Sequence, residues 1–387
     1  MILIKNCDLM SMGTIPRGMA DILVHDGKIE RVENTILTPE GCKEIDAGGR
    51  IVTPGLVESH CHIGTSSLDS QNTNEKTHPT LGGLRALDAL DFNAPEFTRA
   101  LKTGVTTLIT GPGSSNLIGG VFMGIKSAGD SVESRIISEE LTLKMALGEN
   151  PRLNYGKIGK SPSTRMGAAA LIREALFKAR EYREKWLAHQ AGDKKSGFSY
   201  DIHLHSLMRA FDGMIVKIHA HQADDIMTAI RIAKEFGIRI SIEHCTEGYL
   251  ITKELKEAGY PVIIGPIAGG KGKLEISKKT YEAGAILERE GIPFAIATDS
   301  GVIPMEGLLM QAALLVKRGL SKETALEALT INAARFTDVS DRVGSIEPKK
   351  DADIVIWNMH PLDTMSRPDM VMIDGKIRLM NGEVCTC

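Results

Sequence analysis

Eight short apolar segments, separated by polar or helical sequence, constrain the fold of this chain more than any other feature. Four intervening stretches, 94–104, 164–190, 224–237 and 278–291, carry the apolar spacing of amphipathic helices. Buried strands that alternate with helices are typical of a (β/α)8 TIM barrel, whose active site forms at the carboxyl ends of the strands. We therefore predict an α/β fold of this type. The eight predicted strands are 52–60, 105–110, 121–126, 141–147, 214–221, 238–244, 261–265 and 293–299.

The two ends of the chain share a different pattern, with short β-rich runs and turn signals. The Asp-Gly dipeptides at 26–27 and 374–375 are each flanked by apolar runs, which is the signature of a tight hairpin. Neither end buries much apolar surface alone, so we expect residues 1–51 and 341–387 to pair into one small β-sandwich. The 387 residues are enough for this domain and a barrel over 52–340, because such barrels take roughly 250 residues.

Charge and composition narrow the possible partners. The 46 basic and 49 acidic residues are interspersed and give a net charge of −3, so we expect neither nucleic acid nor an anionic membrane as a partner. The first ten residues lack a secretory leader pattern and no run of eighteen apolar residues occurs, which predicts a cytoplasmic protein. The six cysteines are scattered, which favours reduced thiols over disulfides. We expect a small-molecule substrate and a homo-oligomer.

Imidazoles collect at the carboxyl ends of the predicted strands. In the stretch 52–65, VTPGLVESHCHIGT, an apolar run ends in His60 and His62, and residues two apart in a strand point to the same face. Two neutral imidazoles aimed at one point suit a metal, although histidine pairs also occur as surface or hydrogen-bonded residues. Five of the eleven histidines and one aspartate end predicted strands, so one barrel mouth would hold six potential ligands. They are His60, His62, His219, His221, His244 and Asp299.

Two other features look like functional motifs. His203 and His205 form a second His-x-His, but the apolar residues around them recur at helical spacing, and residues two apart on a helix diverge. We do not expect this pair to bind metal. The glycine-rich stretches 111–116 and 269–273 lack the phosphate-loop pattern. We interpret both as active-site loops, the second with Lys271 or Lys273 as a contact for a substrate anion.

The loops after the strands would shape the substrate pocket, mainly 63–95, 148–165 and 266–275. Arg85 and Arg165 lie in two of these loops. Each is either an anchor for a substrate carboxylate or a solvated surface charge.

Segments spread over essentially the whole sequence resemble the amidohydrolase superfamily of metal-dependent hydrolases. They are PGLVESHCH, IHAHQADDI, IEHCTEG, AIATDSG and GSIEPKKDADIVIW. Together with LKMALGENP, they look most like the imidazolonepropionase-like and prolidase-like branch. The resemblance implies a barrel that holds one or two divalent metals, usually zinc. It implies as ligands His60, His62, His219, His244 and Asp299, with Lys144 as a carboxylated bridging residue.

Three positions bear on that implied site. Lys144 interrupts an otherwise apolar strand and is either the bridging residue or a rim lysine in a salt bridge, while Glu149 is an alternative source of the bridging carboxylate. Glu58 stands where many relatives have an aspartate two residues before the first histidine. Gln222 lies three residues after His219, where deaminases of this scaffold usually carry a glutamate.

The ligand set favours hydrolysis of a C–N bond in an amide, cyclic amide or dipeptide-like small molecule. A zinc-class ion with an open position lowers the pKa of its water to about 7. Asp299 would take the water's proton and pass it to the leaving nitrogen, while the metal or His221 polarises the carbonyl. A deaminase is the alternative, and an inactive scaffold protein is a second one, although such relatives typically lose ligands. Cys61 and Cys245 should point out of the barrel, so we expect no nucleophilic cysteine.

Overall fold

The computed structural model describes residues 1–66, 72–270 and 272–385. The strands are β1 (Ile2–Leu9), β2 (Gly18–His25), β3 (Lys28–Glu33), β4 (Lys43–Asp46), β5 (Ile51–Pro54), β6 (Leu56–Cys61), β7 (Val105–Thr110), β8 (Ile118–Lys126), β9 (Ile136–Ala146), β10 (Val216–Ala220), β11 (Ile240–His244), β12 (Val262–Ile264), β13 (Phe294–Ile296), β14 (Ile354–Trp357), β15 (Pro368–Ile373), β16 (Lys376–Met380) and β17 (Glu383–Val384). The α-helices are α1 (Pro95–Lys102), α2 (Val132–Arg135), α3 (Glu149–Gly156), α4 (Arg165–Gln190), α5 (Ile202–Met208), α6 (Ala223–Phe236), α7 (Thr252–Ala258), α8 (Ala283–Arg289), α9 (Gly307–Val316), α10 (Lys322–Ala328) and α11 (Ile331–Arg335).

Strands β6 to β13 form an eight-stranded barrel sheet in which each strand lies beside the next in the chain. Backbone hydrogen bonds from Asp299 N to His60 O, 3.1 Å, and from His62 N to Ser300 O, 3.0 Å, join the first strand to the segment after the last. The predicted barrel fold, with a second sheet from the chain ends, is therefore confirmed.

One barrel strand runs in the opposite direction to the rest. β8 is antiparallel to both β7 and β9, whereas the other neighbouring barrel strands are parallel. The reason is the length of the connection, because parallel neighbours need a crossover of a dozen or more residues. Only residues 111–117 separate β7 from β8.

The second sheet contains strands from both ends of the chain, in the order β17-β16-β15-β14-β5-β1-β2-β3, with β4 beside β1. β5 joins the two ends, since it pairs antiparallel with β14 and parallel with β1. The Asp-Gly dipeptides at 26–27 and 374–375 connect β2 to β3 and β15 to β16. All four of these residues have positive φ, as expected for the predicted hairpin turns.

Gly55 separates the two sheets. The segment predicted as one strand, 52–60, is divided here into β5 in the second sheet and β6 in the barrel. A Cβ atom at Gly55 would lie 2.0 Å from Oγ1 of Thr106, so the chain passes this point only because the residue has no side chain. The barrel consequently begins at Leu56 rather than at Val52.

The four predicted helices are present as α1, α4, α6 and α8. Their buried side chains, such as Ile226 and Leu287, pack against outward-facing barrel residues in one large apolar cluster. This packing holds the strand ends, and therefore the loops at the barrel mouth, in fixed positions. Among the described residues, no helix is both long and apolar enough to cross a membrane.

Candidate metal centre

The carboxyl ends of four barrel strands bring five histidines and one aspartate to one mouth. β6 and the residue after it supply two histidines, β10 and the residue after it supply two, β11 ends in one, and the aspartate follows β13. All five histidines are buried. The six groups form two clusters, the first of His60, His62 and Asp299 and the second of His219, His221 and His244, and the ligand atoms within each cluster lie within 4.8 Å of one another.

In the first cluster the Asp299 carboxylate faces two imidazoles. Its Oδ1 lies 3.0 Å from Nε2 of His62 and 3.8 Å from Nε2 of His60. Nδ1 of His62 lies 2.7 Å from the carbonyl oxygen of Gly111. Because a carbonyl only accepts, this Nδ1 donates and Nε2 of the neutral ring carries a lone pair. Nε2 of His62 and Oδ1 of Asp299 therefore face each other across a gap that either a proton or a metal cation can fill.

In the second cluster three rings surround one point. Their centroids are 4.5 Å apart for His219 and His244, 4.6 Å for His219 and His221, and 4.8 Å for His221 and His244. Nδ1 of His219 lies 3.0 Å from Oγ of Ser114, and Nδ1 of His221 lies 2.7 Å from Oγ1 of Thr246. Each of these rings is therefore oriented through its outer nitrogen, which leaves Nε2 for the cluster.

His244 reaches this cluster through an unusual backbone conformation. In a regular strand His244 would point away from the face that carries its neighbour Glu243, but its φ is 70°, and Asp299 likewise has a φ of 53°. Left-handed conformations of non-glycine residues cost on the order of 1–3 kcal/mol and concentrate at functional sites. Nδ1 of His244 is 2.7 Å from the carbonyl oxygen of Gly265, so its Nε2 also presents a lone pair to the mouth.

Buried charges lie directly beneath the clusters. Nδ1 of His60 is 2.6 Å from Oε2 of Glu243, whose Oε1 is 3.0 Å from Nζ of Lys217. Nζ of Lys144 lies 3.3 Å from Nε2 of His60, and burial lowers the pKa of Lys144 to about 8. A carboxylate on the outer nitrogen is the usual support of a metal-binding histidine.

The protonation states at the mouth are those that metal ligands need. Burial lowers the pKa of both His221 and His244 to about 3, and that of His60 and His219 well below the usual range. Burial alone would raise the pKa of Asp299, but the surrounding imidazoles hold it well below its usual value. Neutral imidazoles and an ionised carboxylate are the forms that bind metal.

The unpaired acceptor atoms of these residues fit a divalent cation. Among the residues that the structure describes, Nε2 of His244 and Oδ1 of Asp299 are buried without a hydrogen-bond partner. An unsatisfied buried acceptor costs about 1–3 kcal/mol. Several acceptors converge on two points. A cation bound in each cluster would explain this arrangement, because it would satisfy them.

A cavity of about 530 Å³ opens onto both clusters, a size suited to a small molecule. Gly113 and Gly269 contribute to its wall, as expected if both glycine-rich stretches are active-site loops. Lys273 also lines it, while Lys271 lies outside the described residues. The polar side chains that line it, besides the two clusters, include Thr73, Asn74, Ser114, Ser115, Asn150, Lys273 and Lys279.

Arg85 and Arg165 are engaged in ion pairs. A guanidinium nitrogen of Arg85 lies 2.7 Å from Oδ1 of Asp88, and Nε of Arg165 lies 2.9 Å from Oδ1 of the buried Asp225. Arg165 also donates a hydrogen bond to Gln222. Of the two interpretations of these arginines, the surface charge fits better than the substrate anchor.

The second His-x-His lies on α5, as its helical spacing predicts. Nδ1 of His203 accepts a hydrogen bond from the backbone N–H of Gly83 at 3.0 Å, and the ring of His205 packs edge-on against Trp186 with centroids 5.2 Å apart. Each ring thus contacts a neighbouring segment of the chain.

The cysteines beside the ligands pack away from the mouth. Cys61 and Cys245 belong to the apolar cluster between the barrel and its helices. Strand alternation predicts this for Cys61, whereas Cys245 faces outward because the backbone leaves the strand conformation at His244 and Cys245, where φ is 70° and 45°. Burial raises the pKa of Cys245 to about 12 and that of Cys61 further. Thiols of this kind stay protonated and are poor nucleophiles.

Glu58 connects the two chain segments that carry the first cluster. It is fully buried and accepts hydrogen bonds from Thr298, at 3.0 Å from N and 2.8 Å from Oγ1, and from N of His60 at 3.1 Å. Burial raises its pKa to about 8. The glutamate at this position therefore supports the site through backbone contacts.

Three charged residues around the clusters were not predicted from the sequence. Lys217 and Glu243 each interrupt an apolar strand close to a predicted ligand, which is the signal that singled out Lys144 and would have found them too. Glu275 lies in a loop without a recognisable pattern. Its Oε1 is 3.9 Å from Nε2 of His219 and 3.8 Å from Nε2 of His221.

Comparison with known proteins agrees with this architecture. The sequence model of the amidohydrolase family matches residues 119–378, and the chain belongs to this family. Amidohydrolase tasK of Hapsidospora irregularis is 29% identical over 388 residues, which cover 92% of this chain but only 39% of that relative. Imidazolonepropionase of Thermoplasma acidophilum is 25% identical over 372 residues, which cover 88% of this chain and 83% of the relative.

Solved structures give the same result. The crystal structure of an amidohydrolase from Thermotoga maritima MSB8 superposes with a TM-score of 0.93 at 39% identity, covering 98% of this chain and 100% of that one. A prolidase shares the fold, with a TM-score of 0.57 at 15% identity over 97% of this chain and 98% of that one. The predicted similarity to imidazolonepropionase-like and prolidase-like proteins is confirmed. The family defines a class of hydrolases that act on C–N bonds of small molecules and usually bind a divalent metal.

Proposed function

We propose that this protein is a metal-dependent hydrolase that cleaves a C–N bond in an amide, a cyclic amide or a dipeptide-like small molecule. The observation that carries the proposal is the convergence of two clusters of buried acceptors under one cavity. The similarity to amidohydrolases and imidazolonepropionases supports the same reaction class. The position of Gln222, which lacks a carboxyl and is bound by Arg165, argues against a deaminase.

One or two zinc or similar divalent ions would be held at the mouth in this proposal. His60, His62 and Asp299 would hold one ion, and His219 and His244 the other with His221 beside them. A carboxylated Lys144 would bridge them, since it is fully buried and its Nζ lies 3.3 Å from His60. Such ions acidify a water and polarise a carbonyl when bound.

The protein groups would then supply positioning and proton transfer. The ionised Asp299 carboxylate lines the cavity beside the first cluster, where it takes the proton of the attacking water and passes it to the leaving nitrogen. His221 lines the same cavity and is neutral. In the tautomer whose Nδ1 accepts from the Thr246 hydroxyl, its Nε2–H donates to the substrate carbonyl and helps to polarise it. The amide and hydroxyl side chains of Asn74, Ser115 and Asn150 orient the substrate by hydrogen bonds.

A substrate panel tests the proposal. Protein prepared without chelator, with and without added zinc, is assayed on N-acyl amino acids, dipeptides and imidazolone-type rings, with ammonia release from aminated rings measured in parallel. We expect one to two equivalents of metal per chain and hydrolysis of amide or cyclic amide substrates. Full activity in metal-free protein, or turnover confined to aminated rings, would reject the proposal.

Three further expectations stay predictions. These are the division into domains at 1–51, 52–340 and 341–387, the homo-oligomer and the cytoplasmic location.

A further inference from the structure

We infer that Glu275 is a metal ligand, which completes the second cluster from the loop between β12 and α8. This inference rests on the proposed metal centre and adds a residue that lies 31 positions after His244 in sequence. It gives the second cluster a carboxylate, as Asp299 does for the first.

The two oxygens of Glu275 have different surroundings. The residue is 2% exposed. Its Oε2 accepts a hydrogen bond from the backbone N–H of Glu149 at 2.8 Å. Its Oε1 is buried without a hydrogen-bond partner among the described residues, and it faces Nε2 of His219 at 3.9 Å and Nε2 of His221 at 3.8 Å.

Among the residues that the structure describes, no buried cation pairs with Glu275. Nζ of Lys273 is 3.9 Å from Oε1, but the Lys273 side chain is 45% exposed. A buried carboxylate is stable only when it is paired, hydrogen-bonded or coordinated to a metal. An ion bound by His219 would satisfy Oε1 and the Nε2 atom of His219 that it faces at the same time.

The spacing suits direct coordination. Ligand atoms bound to one zinc ion at about 2.0–2.1 Å in a tetrahedral arrangement are separated by roughly 3.4 Å. The observed 3.9 Å between Oε1 and Nε2 of His219 needs only a small contraction on binding. On the other side of the carboxylate, Oε2 of Glu275 is 2.7 Å from the position that a Cβ atom on residue 148 would occupy. The glycine therefore leaves room for this carboxylate to approach.

The Glu275→Gln variant tests the assignment. Glutamine keeps the size of the side chain and an oxygen for the N–H of Glu149, but removes the anionic ligand. Glu247→Gln is the matched control, because Glu247 is also a buried loop carboxylate that accepts a backbone N–H, from Ala223 at 3.0 Å. Its other oxygen lies 3.3 Å from Lys278 instead of facing an imidazole.

Three quantities are measured for each variant. They are the metal content after dialysis against a competing chelator, the absorption spectrum of the Co²⁺-substituted protein, and the melting temperature with and without metal. We expect Glu275→Gln to lower the affinity of one site per chain about tenfold or more, the loss that follows even from removal of a ligand's outer partner. Its Co²⁺ bands should shift while those of Glu247→Gln stay as in the parent protein. Metal-free Glu275→Gln should melt no lower than the metal-free parent, because the substitution removes an uncompensated buried charge.

Two results would overturn the inference. The first is that metal affinity and the Co²⁺ bands of Glu275→Gln do not change. The second is that Glu275→Gln lowers the melting temperature equally with and without metal, because a residue that only anchors its loop would behave in this way. If the parent protein itself binds no metal, the proposed function fails as well. If the parent binds metal and hydrolyses amides while Glu275→Gln binds equally well, only this inference fails.

Discussion

Replacement of Glu243 by glutamine should weaken both folding and metal binding, for separable reasons. Glu243 and Lys217 are both 0% exposed, and their ion pair has an Oε1–Nζ distance of 3.0 Å. The other oxygen of Glu243 faces Nδ1 of His60 at 2.6 Å, and Ser241 donates a hydrogen bond to Oε1. One cation and two hydrogen-bonding groups, from His60 and Ser241, therefore surround this carboxylate. A glutamine offers one acceptor and turns its NH2 group towards one of those groups.

The expected loss of stability follows from the charge that is left behind. Removal of one partner from a buried ion pair costs about 3–5 kcal/mol, because the other charge stays buried without compensation. The loss of the carboxylate behind His60 should in addition lower metal affinity about 10–100-fold, the usual effect of the outer partner of a metal-binding histidine. The free energy of unfolding is measured by urea denaturation of metal-free protein, and metal affinity by chelator competition.

The double variant Glu243→Gln with Lys217→Met separates the two effects. Removal of both charges should restore most of the stability, since the uncompensated cation is gone, but metal affinity should stay low because His60 still lacks its carboxylate. If Glu243→Gln lies within about 1 kcal/mol of the parent, or if the stability losses of the two single variants simply add, the explanation by a buried charge is wrong.

Three further changes are predicted from the same site. Asp299→Asn should retain most of its metal while kcat falls by about 10²–10⁴, the usual worth of a positioned acid–base group; a folded variant with near-normal kcat would exclude proton transfer by Asp299. Lys144→Ala should lose the second metal and regain some activity with added short carboxylic acids, whereas loss of that metal in Glu149→Gln alone would identify Glu149 as the bridge. Burial raises the pKa of Glu58 from 4.5 to about 8. Between pH 4.5 and about 8 the folded metal-free protein therefore holds a proton on Glu58 that the unfolded chain has lost. The free energy of unfolding should fall as pH rises through this range, by up to about 1.4 kcal/mol per pH unit. Glu58→Gln should remove this contribution from urea unfolding measured across that pH range, and an unchanged slope would contradict it.

Much of the architecture follows from local sequence. The periods of two and 3.6 residues distinguish strands from helices without knowledge of their partners, and the Asp-Gly dipeptides form the predicted turns for local backbone reasons. His60 and His62 point to one face because they are two apart near the end of a strand. Since barrel strands end at a common mouth, the positions of His219, His244 and Asp299 late in their segments predict that their backbones meet there.

The antiparallel direction of β8 depends on the length of the connection before it, and the alternation of strands and helices carries no information about that length. Its apolar run, Ile118–Lys126, looks like any other buried strand. Strand direction is set by how the chain returns to the sheet, and the seven residues 111–117 are too few for a parallel crossover. The same pattern gave no sign that Gly55 divides the first predicted strand between two sheets.

Only the tertiary structure decided which charges meet. Glu243 contacts His60 across 183 positions of sequence, and Glu275 comes to the second cluster from an irregular loop. The positive φ of His244 likewise reverses the direction that strand alternation assigns to its side chain. Hydrophobic periodicity depends on near neighbours along the chain, whereas the pairing of buried charges depends on which segments the closed barrel places side by side, and that is set by the packing of the whole chain.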